Sequence, residues 1–544
     1  MKPLYFVILV PLLILYSIYI HREFESTFYF SHLSDDEREL TFRSEMAFYI
    51  SYYKQLVVNR LSISSLLNDT FSEFPLKINA LKRFNIYPEL VIAILYRTFA
   101  LLLFGKRQCY SVTRAMHENT TYAIGLAHKQ VADLYGTKYI NLSPSPNVPS
   151  CIGNSDPYWF YINAVFLLYS LVPLSIFSSL YFITKDIMSA FIAVGIFLNF
   201  HPDATRIHHT PSLRESFAYP FFLLQQSILV YIIKSPRSVS SVTYFSLLLA
   251  QISFQLPWQF SQFALSTQLL AIWLTYLFDW FFESRTLRPK RFLFLILVHV
   301  SSLIISYAMQ FFNELLVSSI YLPIIVAIFA TTVLWIFLLS RPCVLNLVAL
   351  MSNFTFVFWL MIKLQNLKFS NSSDGGHIID ILKVKLFPDS FNHTFHTKLY
   401  TCQAEFDFFP IRDAKRIFTN PLMAFIAFTI MAVMIMRLRL FWITHTIIMT
   451  AIVFRVNFMK NTQKGFYLKS VILAIVISSA YTQISPDDLV VTFFTDGCPR
   501  EVIVLDQGRI VEMGSPDELL NRPDSIFASI AREYSSSNEQ AGGK

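Results

Sequence analysis

Long apolar runs recur along most of this chain, beginning at 4–20, and that one pattern leaves few folds open. Each run approaches the roughly 20 residues that cross about 30 Å of hydrocarbon at about 1.5 Å of rise per residue. A bilayer interior offers no partners to a strand edge, so a segment that sits there must close its backbone hydrogen bonds within itself, as a helix. Composition agrees: 54% of the 544 residues are hydrophobic, with 54 Phe and 27 Tyr against 13 Gly, a balance for which a water-soluble chain has no use. The expected spans are 4–20, 158–183, 187–201, 218–234, 242–257, 260–282, 292–311, 315–339, 343–364, 421–437, 440–457 and 467–484. The first is expected to remain as an anchor, because no small-x-small cleavage site follows it and His21, Arg22 and Glu23 are charged. The sequence thus predicts an all-α polytopic membrane protein with about 12 transmembrane helices.

Orientation follows from the short loops. Lys234 and Arg237, then Arg285, Arg288, Lys290 and Arg291, then Arg341 fall in alternate loops, which the positive-inside rule assigns to the cytosol. Loops 21–157 and 365–420 are then expected in a lumen. The sequons at Asn68, Asn119, Asn141, Asn371 and Asn392 all lie in those two loops, as a luminal address requires. Cys109 and Cys151 share the first loop and Cys402 lies in the second, where disulfides are permitted and the pairing stays open. The net charge of +8 combines +14 before Ser485 with −6 in the acidic tail beyond it. Such an excess suits anionic headgroups or a lipid phosphate. No basic stretch interleaved with aromatics occurs, so no nucleic-acid partner is expected.

The first luminal loop is too long to be a mere connector. Phe42, Met46, Tyr49 and Tyr53, at spacings of three and four, predict an amphipathic surface helix over 40–57, and Pro88 opens a second over 87–104. Glu45, beside Arg43, lies at the start of the first. A carboxylate partly desolvated at a membrane surface has the raised proton affinity that a general base needs; the plainer reading is a solvated surface charge. The loop HPDATRIHHTPSLRE gathers His201, Asp203, Arg206, His208, His209, Arg214 and Glu215 between two spans. Arg206 and Arg214 there have the guanidinium forks that match phosphate oxygens. No tight ligand spacing recurs, so no metal is expected. Trp258 in LPWQF reads as a belt anchor, and Gln259 beside it as a ligand for a sugar hydroxyl. Asp374, Gly375, Gly376 and His377 form a turn in the second loop, ahead of Tyr400, Cys402, Glu405 and Asp407.

The strings LTFRSEMAFYISYYK, FPLKINALKRFNIYPELVIAILYR, TRIHHTPSLRESFAYPF, LPWQFSQFALSTQ, LYTCQAEFDFF and MRLRLFWITH, in this order across 37–484, resemble the Dumpy-nineteen family of protein (tryptophan) C-mannosyltransferases. The resemblance implies a lipid-donor glycosyltransferase fold of the GT-C type in the endoplasmic reticulum membrane, with luminal surface helices. It implies transfer of mannose from dolichyl phosphate mannose to the indole C2 of tryptophan in W-x-x-W sequences of secretory polypeptides. On this pattern Glu45, in FRSEM, is the catalytic base and Arg206 and Arg214 receive the departing phosphate. Arg43, His208, His209, Trp258, Gln259 and His377 would contact donor or peptide. The partners implied are the lipid membrane, the donor and the tryptophan-bearing client, with no cofactor and no metal.

The chain departs from the family pattern in two places. Family members carry a further span and a polar cytosolic stretch before MRLRL, where here only 418–421 intervenes, which would turn Arg437 and Arg439 toward the cytosol. From Val502 the chain reads VIVLDQGRIVEMGSPDELL, two short strands around Asp506-Gln507-Gly508 and then a helix cap at Ser515. That tail resembles the end of an ATP-binding cassette, but no G-x-x-x-x-G-K-[ST] loop exists anywhere, so no ATP binding is expected. The expected division is a membrane domain over 1–484 and a short, non-autonomous tail over 485–544. The alternative function class is a catalytically inactive membrane protein that binds a lipid-linked sugar or a client. A transporter would need charges buried within the spans, and these are sparse.

Overall fold

The computed structural model describes residues 4–58, 64–100 and 147–368 with short breaks, together with 108–113, 444, 447–448, 502–506 and 509–514. After the long helix α1 (Leu4–Phe28) and a 3-10 turn at Phe30–His32 come α2 (Asp35–Thr41), α3 (Glu45–Val57), α4 (Ser64–Leu67), α5 (Ala80–Phe84) and α6 (Tyr87–Leu95). A two-stranded ribbon, β1 (Gln108–Thr113) and β2 (Asn147–Ile152), precedes the helical core. The core comprises α7 (Pro157–Tyr169), α8 (Leu171–Thr184), α9 (Ile187–Asn199), α10 (His201–Ala204), α11 (Arg214–Lys234), α12 (Ser241–Gln255), α13 (Ser261–Phe281), α14 (Pro289–Met309), α15 (Glu314–Ser318), α16 (Tyr321–Phe337) and α17 (Val344–Lys368). A second ribbon, β3 (Val502–Asp506) and β4 (Arg509–Gly514), belongs to a separate compact unit.

Among the described residues, four helical stretches are long and apolar enough to cross a membrane: Pro157–Thr184, Arg214–Lys234, Pro289–Met309 and Val344–Gln365, with Ile187–Asn199 and Tyr321–Trp335 as shorter apolar helices. The expected spans from 4–20 to 343–364 fall largely on helix, but 315–339 is divided by a break at Ser319–Ile320 and 292–311 overruns a helix that ends at Met309. The expected spans 421–437, 440–457 and 467–484 lie outside the described residues. The helix α13 has the length of a span, but Gln262, Gln268 and Asp279 dilute its apolar character and are buried. The protein is a mostly helical membrane protein, and it departs from purely helical in its two ribbons. Neither ribbon lies within an expected span, and outside lipid the rule that forbids open strand edges no longer applies. In the first, Cys109 is disulfide-bonded and stands in register opposite Cys151.

Helix ends are set by local side chains. Ser34 and Glu37 form a capping box, with Ser34 N–H donating to the Glu37 carboxylate at 2.9 Å, and Asp35 and Asp36 add charge at the positive end of the α2 dipole. Asp156 accepts from the N–H groups of Tyr158 and Trp159 at 3.0 and 3.1 Å and so starts α7, with Pro157 at the first helical position. Within the core, the amides of Gln225 on α11 and Gln268 on α13 exchange two hydrogen bonds of 2.8 Å, which satisfies both where lipid could not.

The base of the first large loop is tied by Arg38, which is wholly buried. Its Nε donates to Phe30 O at 3.0 Å and Nη2 to Ser150 Oγ at 2.8 Å, while Nη1 lies 3.7 Å from the Asp156 carboxylate. The guanidinium sits 5.2 Å from the Phe30 ring centroid and 5.8 Å from that of Trp159. One side chain thus joins the 3-10 turn, β2 and the start of α7. Arg38→Met should destabilise the protein by about 3–5 kcal/mol, since it leaves the buried Asp156 without its cation. Thermal unfolding in detergent measures this, and an unchanged transition would show that the hub is dispensable.

Candidate functional site

Glu45 opens α3, and the backbone just before it is strained. Ser44 has φ 52 and ψ −127 and makes no side-chain cap, in a region that costs a non-glycine residue of order 1–3 kcal/mol. Buried anchors on either side hold the chain there. Phe42 packs on Phe30 and Tyr161, and Met46 opens the inward stripe that continues through Ile50, Tyr53 and Val57. Between the anchors, Arg43, Ser44 and Glu45 are pushed outward and exposed. The partial burial expected for Glu45 is therefore not supplied by the chain's own packing.

One turn further along α3, Tyr49 meets Arg214. The Arg214 guanidinium lies 3.6 Å from the Tyr49 ring centroid, donates Nη1 to Asn85 O at 3.0 Å and pairs through Nη2 with Glu89. Asn85, left-handed at φ 53, ends α5 and turns its carbonyl toward the guanidinium. Glu89 is fully buried in the first turn of α6 and also accepts from Tyr161 OH at 3.3 Å. Arg214 itself is buried at the first position of α11. Its charge is thus already matched inside the protein, and it clamps α3, α6 and α11 together beneath Glu45.

Arg206 is the more open guanidinium. Its Nη1 lies 3.9 Å from Glu215, with 30% of the Arg206 side chain exposed against 7% for Glu215. The Arg206 carbonyl accepts from His209 N at 3.0 Å, Thr210 N at 2.8 Å and Thr210 Oγ1 at 3.0 Å, which folds the loop into a compact turn. Glu215 follows Arg214 in the chain, so the start of α11 carries both the Tyr49–Arg214 clamp and the partner of Arg206.

The histidines form a separate cluster. His201 Nε2 is 3.0 Å from Tyr16 OH, its ring meets Tyr19 at 5.1 Å, and His208 lies 5.5 Å from His201 and 4.0 Å from His209. Burial pushes His201 down to about 3, and lowers His208 and His209 below their ordinary value. All three are neutral at pH 7, so they pin the loop to α1 and add no positive charge for a phosphate. Among the described residues no group of three or more His, Cys, Asp or Glu is placed to hold a metal. An unfolded imidazole binds its proton below about pH 6.5 while buried His201 does not until about 3, so stability is full above pH 6.5 and falls with acidification. Between those two values His201 should contribute a loss of about 1.4 kcal/mol per pH unit. Thermal unfolding of wild type and His201→Phe across pH 7 to 4 checks this; parallel profiles would contradict it.

Trp258 is buried, with its ring 5.0 Å from Phe260 and 6.4 Å from Phe254, and so packs the turn between α12 and α13. Gln259 beside it is exposed. His377 lies outside the described residues. Sequence reasoning missed Glu89, Asn85 and Tyr49 as partners of Arg214. The signal was there for Glu89: an acid inside the apolar run YPELVIAIL requires a buried cation.

Comparison with known proteins finds the Dpy19 family model, described as Q-cell neuroblast polarisation, matching residues 10–426. The chain is 35% identical to C-mannosyltransferase dpy-19 of Caenorhabditis elegans over 416 residues, covering 74% of this chain and 55% of the relative. It is 32% identical to human Protein C-mannosyl-transferase DPY19L1 over 410 residues, 72% of this chain and 54% of that protein. The human Probable C-mannosyltransferase DPY19L2 is 31% identical over 423 residues, 74% and 50% respectively. The chain thus spans about half the length of the curated relatives it matches. Both the family match and the breadth of these identities lead to one assignment: the chain belongs to the Dpy19 family.

Proposed function

We propose that this chain acts as a C-mannosyltransferase of the endoplasmic reticulum membrane, with about 12 spans in a GT-C type arrangement. It would move mannose from dolichyl phosphate mannose to the indole C2 of tryptophan in W-x-x-W sequences. The observation that supports this most is the exposed Glu45 one turn before Tyr49, which meets Arg214 at the start of α11, with the part-exposed Arg206 paired to the next residue, Glu215.

The chemistry asks for few groups. The indole C2 attacks the anomeric carbon as the bond from that carbon to the phosphate oxygen breaks, and the bonding electrons leave with the phosphate. The ring is then a cation that still carries its C2 proton. A carboxylate must take that proton for the indole to regain aromaticity, and we assign this to Glu45, exposed at the first position of α3. Arg206 would stabilise the growing phosphate charge, while Arg214, held by Glu89, keeps the geometry between the two. Fixed cations aimed at developing charge do this work without a metal. Arg43, Gln259 and His377 remain proposed contacts to donor or peptide, and the loops carrying them are proposed to be luminal.

Purified chain incubated with dolichyl phosphate mannose and a W-x-x-W peptide tests the reading. Mannosyl-peptide detected by mass is the expected result. No product alongside a competent control enzyme would defeat it, and retained donor binding in that case would favour the binding-only alternative. Arg206→Ala should lower transfer by about 10²-fold or more if its charge meets the transition state.

A further inference from the structure

The end of the helical core that faces away from Glu45 carries a group of cations that the transfer reaction does not use. The helix α11 runs from Arg214, against the first large loop, to Lys234, and α14 runs from Pro289 to Met309, where the Met309 carbonyl accepts from Tyr87 OH of that same loop. Each has 21 residues, about 30 Å of helix and the thickness of the hydrocarbon of a bilayer. Lys234 and the start of α14 therefore lie at the opposite membrane boundary.

One buried side chain draws them together there. Arg291, 7% exposed, donates Nη1 to Ile232 O at 3.0 Å and to Ile233 O at 3.4 Å, and so closes the last carbonyls of α11. Lys234 is the next residue of α11, and Arg288 and Lys290 come just before Arg291; all three are exposed. Phe182 on α8 packs on Tyr231 of α11 with ring centroids 5.0 Å apart, which brings the exposed Lys185 to the same end. The carboxylates described nearby are engaged with backbone and hydroxyl donors. Asp279 is buried and accepts from Leu287 N at 2.6 Å, and Asp186 accepts from Met188 N at 3.3 Å and Ser189 Oγ at 2.5 Å.

Cations gathered around a buried guanidinium repel one another, and an anion from outside relieves that repulsion. Apolar surface borders the group on the side of the membrane core. Phe294, one turn into α14, is 51% exposed with its ring 5.1 Å from that of Tyr244 on α12, and Phe245 beside it is 58% exposed. Positive charge at headgroup level next to exposed aromatic rings fits a molecule that is anionic at one end and hydrocarbon at the other.

We propose that Lys185, Lys234, Arg288 and Lys290 form a docking surface for an anionic glycerophospholipid of the leaflet remote from Glu45. Its phosphate lies among the cations and its acyl chains run along Phe245 and Phe294. The lipid joins α8, α11 and α14 at their far ends, as Arg214 and Glu89 join helices at the near end. This holds whether or not the chain transfers mannose.

The test takes the full chain in nanodiscs of phosphatidylcholine with a minor share of phosphatidylserine, and reads the lipids retained in mild detergent by native mass spectrometry. Wild type should retain phosphatidylserine in preference, each exposed cation contributing about fivefold, as basic residues do near an anionic membrane surface. Lys234→Gln with Lys290→Gln should cut the preference by about 25-fold and leave phosphatidylcholine retained as before. Lys234→Arg with Lys290→Arg keeps both charges and should keep the preference. Should the Gln pair not fold, Lys290→Gln alone decides, with a loss of about fivefold expected. No preference in wild type, or one that the Gln variants leave untouched, overturns the proposal and leaves the cations to orienting the chain during insertion. Binding of inositol hexakisphosphate with phosphatidylserine ignored would give the surface to a soluble polyanion and overturn it as well.

Discussion

Glu45→Gln is expected to cut mannosyl transfer by about a thousandfold, within the range for loss of a positioned acid or base, and to leave donor binding intact. The amide keeps the size and polarity of the carboxylate but cannot take the C2 proton. Stability should hardly change, because Glu45 is exposed and α3 is fastened through Met46, Ile50 and Tyr53 on its other side. Rates of mannosyl-peptide formation, with donor affinity and thermal unfolding measured on the same preparations, separate these effects. Transfer at the wild-type rate by the Gln variant would remove Glu45 from the chemistry altogether.

The second large effect is expected at Glu89. Glu89→Leu leaves the buried Arg214 guanidinium without its counter-ion, and breaking such a pair from one side costs about 3–5 kcal/mol. Arg214→Met together with Glu89→Leu removes both charges and should recover most of that loss, because an apolar pair of similar volume is tolerated where a lone charge is not. Transfer should not recover with it, since the guanidinium under Tyr49 and the link from α3 to α11 are gone. Thermal unfolding of the three variants gives the cycle. A Glu89→Leu protein as stable as wild type would show that the clamp does not hold the site together.

What the sequence made legible follows from which rules are local. Apolar runs of bilayer length placed the core helices, and the spacing of Phe42, Met46, Tyr49 and Tyr53 placed α3, because lipid and helical periodicity act residue by residue. The strands around Asp506 and Arg509 were readable from their turn. Partnerships across the chain were not. Arg38 with Ser150 and Asp156, and Glu89 with Arg214, join residues more than a hundred positions apart, and only the tertiary fold selects them. For the same reason the sequence offered Arg206 and Arg214 as equals, whereas one is partly exposed and the other is sealed against Glu89. Trp258 shows the converse error, since an aromatic near a helix end suggests an interface anchor until its neighbours Phe254 and Phe260 are seen to bury it.

Burial explains the contrast among the charged residues. Glu89 and Arg214 are matched inside, so their energy goes into geometry. Glu45 and Arg206 keep exposed surface and face whatever enters from outside. A proton acceptor and a phosphate-binding cation need that access, and a scaffold pair does not.

The most direct measurement is the position of a bound lipid phosphate relative to Glu45, taken from a structure of the full chain with dolichyl phosphate mannose in a nanodisc. The phosphate should rest on Arg206, with the sugar between it and the Glu45 carboxylate in one shared cavity. A phosphate bound elsewhere, or a Glu45 side chain separated from it by the packed α3–α6 layer, would contradict the account.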